Sequence, residues 1–200
     1  MFDTDGSLIR TIRTQSRPYR LLLYGAENMI IMPESGEYLF EIYKTSGERT
    51  DAFGRIIENQ QANVLALDGW ITKSNTDTFI YIPFYAGLIL SYTTEKQLRF
   101  YVQMIDPKPM PKIIKSATGR THVDRKASYA ALSISTAGNE LFILGEDDSK
   151  RDKFMLIDVY NNETGFYLYS IPVPEPCNQV FVTKDYVYTL SMTDLSKWQK

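Results

Sequence analysis

The chain has 200 residues, 44% of them hydrophobic and 23% charged, with a net charge of −2 and a pI near 5.5. This is a globular composition, not that of a disordered chain, and it gives no broad attraction to nucleic acid or anionic lipid, though it leaves room for a local basic patch. The single cysteine, Cys177, excludes an internal disulfide and any multi-cysteine metal site, and no apolar run reaches the roughly 18 residues that span a membrane.

An aromatic share of 13% suits strands, where flat and branched side chains pack well. The chain opens Met1-Phe2-Asp3-Thr4-Asp5-Gly6, which has neither the basic n-region nor the apolar core of a signal peptide. Met1 to Asp3 reads as the end of one strand and Ser7 to Arg13 as the next. Leu21 to Tyr24 and Met29 to Met32 flank the turn Gly25-Ala26-Glu27-Asn28, and the alternating Tyr38-Leu39-Phe40-Glu41-Ile42-Tyr43 follows. The turn Lys44-Thr45-Ser46-Gly47 leads into another strand from Arg49.

Val64 to Lys73 and Phe79 to Pro83 surround Ser74-Asn75-Thr76-Asp77. Tyr92 and Leu98 flank Thr93-Thr94-Glu95-Lys96-Gln97, and Leu98 to Met104 alternates. Asp106 to Lys126 holds no strand pattern. Ala130 to Ser135 and Glu140 to Leu144 surround Thr136-Ala137-Gly138-Asn139, and Tyr160 and Phe166 flank Asn161-Asn162-Glu163-Thr164-Gly165. Gln179 to Thr183 and Tyr186 to Met192 form a last hairpin, and Thr193 to Lys200 is the best helix candidate. Phe79 to Ile82 and Leu141 to Leu144 are continuous apolar runs, as expected of strands buried on both faces.

The hairpin turns repeat. Gly6 to Gly47 is 41 residues, and the Glu95-Lys96 turn follows about one repeat later. Lys96 to Gly165 is 69 residues, which returns to the same period once an insertion of about 20 is removed. Four strands per unit at this period predict an all-β fold, a β-propeller or propeller segment of four-stranded antiparallel blades. Full blades fall at about 18–54, 62–106 and 127–173, partial blade strands at 1–14 and 177–200, and the insertion at 107–126. A β-sandwich would leave the four-strand period unexplained. The partial ends fit closure of a four-bladed ring or, favoured by the short Met1–Asp3 strand, a segment of a longer propeller. Open blade edges would offer a route to oligomers.

Met1-Phe2-Asp3-Thr4-Asp5-Gly6-Ser7-Leu8-Ile9-Arg10-Thr11-Ile12, Leu156-Ile157-Asp158-Val159-Tyr160 and Tyr186-Val187-Tyr188-Thr189-Leu190-Ser191-Met192 resemble blade strands of six-bladed propellers with NHL-like or TolB-like blades, of the type abundant in Bacteroidota. The resemblance implies a bacterial protein of the cell envelope or periplasm, a placement that the missing signal peptide does not support.

Few constellations point to chemistry. Asp3-Thr4-Asp5-Gly6 starts like a calcium loop, but Ser7 to Arg13 supplies no further carboxylate, so a turn with Asx hydrogen bonds is expected. His122, the lone histidine, reads as an exposed loop residue; no serine has a nucleophile-elbow context and no phosphate-binding glycine loop occurs. The carboxylates at turns, including Glu146-Asp147-Asp148 and Glu163, are scattered.

The insertion stands out. It begins Asp106-Pro107-Lys108-Pro109-Met110-Pro111-Lys112, stiffened by proline, and carries six lysines and arginines against two aspartates. Antiparallel blade topology puts it on the same face as Phe84-Tyr85-Ala86-Gly87 and Gly145 to Lys153. Long loops in compact domains are commonly functional, so Tyr85, Lys112, Arg120, Arg125 and Arg151 are the candidate ligand-binding residues. Tyr19, Trp70, Phe84, Tyr85 and Trp198 are candidates for a carbohydrate platform.

The sequence thus predicts a non-catalytic binding or scaffold propeller, needing no cofactor or metal. It would recognise a protein, small-molecule or carbohydrate ligand on its loop face, and not nucleic acid. The alternative is a propeller hydrolase or lyase with a carboxylate or metal site in the central depression.

Overall fold

The computed structural model describes residues 11–24, 27–34, 36–55, 64–75, 77–146, 155–173 and 175–199. The Asp3-Thr4-Asp5-Gly6 turn and Arg151 lie outside them. The chain divides into two compact units, Met1–Val64 and Leu65–Lys200.

In the first unit, β1 (Pro18–Tyr24), β2 (Asn28–Pro33), β3 (Tyr38–Lys44) and β4 (Arg49–Arg55) form an antiparallel sheet in that order. β2 is an unbroken apolar strand because both its faces are covered: Met29, Ile30, Ile31 and Met32 are all buried. Met29 and Ile31 pack with Tyr43 and Ile12. Buried Glu41 is held by the Arg49 guanidinium at 3.1 Å and by the Tyr43 hydroxyl at 3.1 Å, as a buried carboxylate requires. At Gly47 the β3–β4 turn needs φ of +93°, and a Cβ there would meet the Arg13 carbonyl oxygen at 2.6 Å, so only glycine fits. The expected strand Ser7–Arg13 is not found over its described part, Thr11–Arg13, which is irregular; Ile12 packs as an anchor instead.

A 3-10 turn at Val64–Leu67 leads into the second unit where the sequence predicts strand, and the strand begins only at Gly69. The turn is fixed by a hydrogen bond from the Tyr81 hydroxyl to the Leu67 carbonyl. β5 (Gly69–Asn75), β6 (Thr78–Pro83), β7 (Leu88–Thr93) and β8 (Leu98–Gln103) make one sheet. β9 (Ile113–Lys115) and β10 (Thr121–Val123) form a separate hairpin. β11 (Ser133–Ala137), β12 (Glu140–Glu146), β13 (Met155–Asn161) and β14 (Tyr167–Val173) make the next sheet, and β15 (Gln179–Val182), β16 (Tyr186–Leu190) and β17 (Leu195–Gln199) a three-stranded one.

These sheets stack face to face. β12 alternates between two cores: Leu141 and Ile143 pack with Ile80, Ile82 and Ile89 of the preceding sheet, while Phe142 and Leu144 pack with Val180, Val182 and Val187 of the following one. Each such side chain contributes about 1.5–3 kcal/mol by leaving water. The first strands of consecutive sheets also meet. The Ser133 hydroxyl accepts from the Val180 amide at 3.1 Å and the Ser135 hydroxyl from the Val182 amide at 2.9 Å. Period-2 serines thereby satisfy the buried amides on the free edge of β15. At the β13–β14 turn, Gly165 (φ +75°) lies so close to β8 that a Cβ would sit 2.7 Å from the Phe100 ring.

Two expectations need correction here. Over its described part, Thr193–Gln199, the expected helix is not found, and the last sheet has three strands where the sequence predicts two. Leu195 and Trp198 pair with Leu190 and Val187 of β16, and Trp198 packs against the apolar core, so pairing and burial override a weak local preference. The insertion, read as strandless, contains the β9–β10 hairpin; three residues per strand are too few to show a period.

Candidate functional site

The β6–β7 loop, Phe84 to Gly87, organises one end of the second unit. The Phe84 amide donates to the Asp68 carbonyl at 2.9 Å, and the Phe84 carbonyl accepts from the amides of Ala130 (2.7 Å) and Ala131 (3.1 Å). The Gly87 carbonyl accepts from the Met104 amide at 2.8 Å. Gly87 also lets the insertion approach: a Cβ there would lie 2.8 Å from Lys108 N and Pro107 Cα. One short loop thus joins the start of β5, the start of the insertion and the lead-in to β11.

The insertion is held by local polar contacts. Lys108 Nζ lies 2.8 Å from Asp106 Oδ2. The Asp124 amide donates to the Lys112 carbonyl at 2.8 Å, closing the base of the hairpin, and the Asp124 carboxylate accepts from the Lys126 amide at 3.0 Å. At the tip the Ser116 amide bonds the Arg120 carbonyl, and Gly119 takes the left-handed conformation that the turn requires (φ +81°).

Between the hairpin and the loop lies a cavity of about 690 Å³, lined by Leu65, Asp68, Trp70, Phe84, Tyr85, Thr121, His122, Val123, Tyr129, Ala131, Leu132 and Asn178. Its aromatic side chains pack on one another. Tyr85 and Tyr129 stack with centroids 4.8 Å apart, and the Tyr85 hydroxyl donates to that of Tyr129 at 3.2 Å. Phe84 meets Trp70 (5.3 Å) and Tyr85 (6.4 Å) edge-on. Partial burial, then the Tyr129 hydrogen bond, push the Tyr85 phenol above its ordinary pKa, so the ring stays neutral.

Of the candidate residues, Tyr85 lines this cavity. Arg120 is exposed on the β9–β10 turn, beside the lining residue Thr121; Arg125 is exposed just beyond β10. Lys112 lines a neighbouring pocket of about 380 Å³ with Lys108, Met110, Asp124 and Lys126. Trp70, Phe84 and Tyr85 come together as an aromatic group, whereas Trp198 lines a different pocket with Tyr169, Ile171 and Val187, and Tyr19 belongs to the first unit. His122 is exposed as expected but stands on β10, not in a loop.

Tyr129, Thr121 and Asn178 were not legible as lining residues. Tyr129 had one available signal, its position directly before the Ala130 lead-in to a blade, at the same end as Tyr85.

A second pocket, of about 510 Å³, places Gly145 and Glu146 with Asp106, Lys108, Asp158 and Ser170. Two of its carboxylates are engaged: Asp106 faces the Lys108 ammonium and Asp158 accepts from the Ser170 hydroxyl at 2.5 Å. Among the described residues, no group of three or more His, Cys, Asp or Glu side chains is placed to hold a metal ion, and no helix is long and apolar enough to cross a membrane.

No known family matches the sequence, and no curated relative does. Among solved structures, BBS1N in complex with ARL6DN is similar at a TM-score of 0.57 and 8% identity, over 98% of this chain and 55% of that one. BamB from Moraxella catarrhalis gives 0.49 and 14%, over 98% and 64%; virginiamycin B lyase from Staphylococcus aureus gives 0.46 and 12%, over 92% and 70%. The chain thus spans little more than half the length of BBS1N. These are β-propeller proteins. With the stacked antiparallel sheets, the likeness to BBS1N shows the fold: a β-propeller or propeller segment of four-stranded antiparallel blades.

Proposed function

We propose that this chain is a non-catalytic recognition propeller that binds its partner at the loop end of the second unit, over the aromatic cavity and the insertion hairpin. The observation that carries the reading is the cavity itself. At about 690 Å³ it has the size of a ligand site, and it combines an apolar aromatic lining with a few polar groups, Asp68, Thr121, His122 and Asn178. Aromatic anchors in a recess are where binding energy concentrates. The use of the fold in BBS1N, seen in complex with ARL6DN, suits such a role.

The blades at about 18–54, 62–106 and 127–173 and the partial blade at 177–200 fit a ring of NHL-like or TolB-like type, six blades to the ring, as in Bacteroidota. Both readings rest on the repeat period and the blade-strand resemblance. Tyr85, Lys112, Arg120, Arg125 and Arg151 remain the proposed contacts, joined by Tyr129.

A screen of immobilised glycans and peptides against the full chain tests the reading, with each hit retested on Tyr85→Ala and Tyr129→Ala. Binding should weaken about tenfold or more, the scale of a lost anchor. Hits that bind both variants as well as the parent would place recognition elsewhere.

A further inference from the structure

Residues 106–126 carry six lysines and arginines against two aspartates, a net +4 in a chain of net −2, so the remaining residues carry −6. Outside the insertion, Arg17, Lys44 and Arg49 sit against Glu34, Glu48 and Glu41. In the insertion only Lys108 does so among the described residues, at Asp106. Lys112, Lys115, Arg120, Arg125 and Lys126 are exposed. Like charges gathered without counter-charges repel one another, an arrangement that an anionic partner relieves.

Position narrows the partner. Thr121, His122 and Val123 of β10 line the aromatic cavity, and Lys115 pairs with Thr121 across the hairpin, so the basic hairpin borders the cavity. Lys115 stands opposite Thr121, and at about 3.3 Å per residue Arg125 lies roughly 13 Å farther along the hairpin. A single small anion cannot reach both. An extended chain, with side chains on alternate residues, can.

The rings add a second constraint. The Tyr85 and Tyr129 rings stack on each other and Trp70 meets Phe84 edge-on, which takes up one face of each tyrosine within the group. What remains is a recess, and a recess takes a side chain.

Building on the recognition reading above, we infer that the partner is an acidic, extended peptide segment whose carboxylates lie along the insertion hairpin while one aromatic side chain enters the cavity. Lys112, Lys115, Arg120 and Arg125 supply attraction and register, and Tyr85 and Tyr129 receive the anchor. The acidic remainder of the chain disfavours long polyanions that would extend beyond the hairpin.

The probe is a dye-labelled peptide, Glu-Asp-Glu-Phe-Glu-Asp-Glu with capped ends, titrated by anisotropy into the full chain. Saturable binding is expected. It should weaken about tenfold when K112A, K115A, R120A and R125A are combined, and by a similar factor when alanine replaces the peptide's phenylalanine. Rising salt should weaken it further. The cations are exposed, so the combined variant keeps its fold; matching thermal midpoints check this.

Equal binding of a lysine peptide of the same pattern, or unchanged binding to the combined variant, would overturn the inference. Stronger displacement by an oligouronate or a single-stranded oligonucleotide would also overturn it and assign the surface to that polyanion. A neutral hit from the screen that depends on Tyr85, with no binding of the acidic peptide, would sink the inference while leaving the recognition reading intact. If no hit depends on Tyr85 or Tyr129, the recognition reading itself fails.

Discussion

The β11–β14 sheet and the insertion before it are neighbours in sequence but are built on different principles. In the sheet, β12 sends alternate side chains into two cores, and Leu141, Phe142, Ile143 and Leu144 are all fully buried. In the insertion, two three-residue strands and a handful of turn hydrogen bonds carry the structure, and nearly all the charge points outward. The sheet is specified by apolar burial and tolerates little change. The insertion is specified by its attachment at Gly87 and Asp124, which leaves its surface free to vary. That division separates what folds the protein from what meets a partner.

The largest effect should come from the sheet. Phe142→Ala removes a buried ring between two sheets and should cost about 3–5 kcal/mol in urea unfolding. A loss under 1 kcal/mol would mean that this core is loose, and the contrast would collapse.

Gly87→Ala probes the attachment. Its new Cβ meets backbone of Pro107 and Lys108 at 2.8 Å, which cannot give way as a side-chain tip would. We expect a cost of about 1–3 kcal/mol and faster proteolysis within 107–126. Unchanged cleavage would show that the loop does not anchor the insertion.

Alkaline pH should act on the sheet and spare the insertion. Burial, then the hydrogen bond to Glu140, push the Tyr169 phenol up to about 12, and burial raises Tyr160 as well. A raised folded-state pKa favours the protonated form. This stability is therefore complete below about pH 10, the ordinary tyrosine value, and is lost as pH rises toward 12. Thermal midpoints measured from pH 9 to 12 should fall, and more gently in Tyr169→Phe.

The smallest effect belongs to the insertion cations. Lys112→Ala, Arg120→Ala and Arg125→Ala should each change stability by no more than about 0.5 kcal/mol. A larger loss by chemical denaturation would mean that these side chains serve the fold.

The same division explains what could be read from sequence. β6 and β12 were legible because burial on both faces leaves unbroken apolar runs, Phe79–Ile82 and Leu141–Leu144. β17 was not, because Leu195-Ser196-Lys197-Trp198-Gln199 shows little apolar pattern, and pairing with β16 and the packing of Trp198 make it a strand. In the site, Tyr85 and the basic character of the insertion were legible from topology and charge. The Tyr85–Tyr129 stack was not. It is set by the Ala130 and Ala131 amides reaching the Phe84 carbonyl, a backbone contact between residues more than 40 apart that no side-chain pattern records.

The central claim is that the hairpin and the 84–87 loop act together as one binding face. Hydrogen exchange of the full chain with and without saturating acidic phenylalanine peptide tests it most directly. The account predicts added protection confined to residues 84–87, 112–125 and 129–131, with the sheet cores unchanged. Protection appearing elsewhere in the second unit, or only in the first, would contradict it.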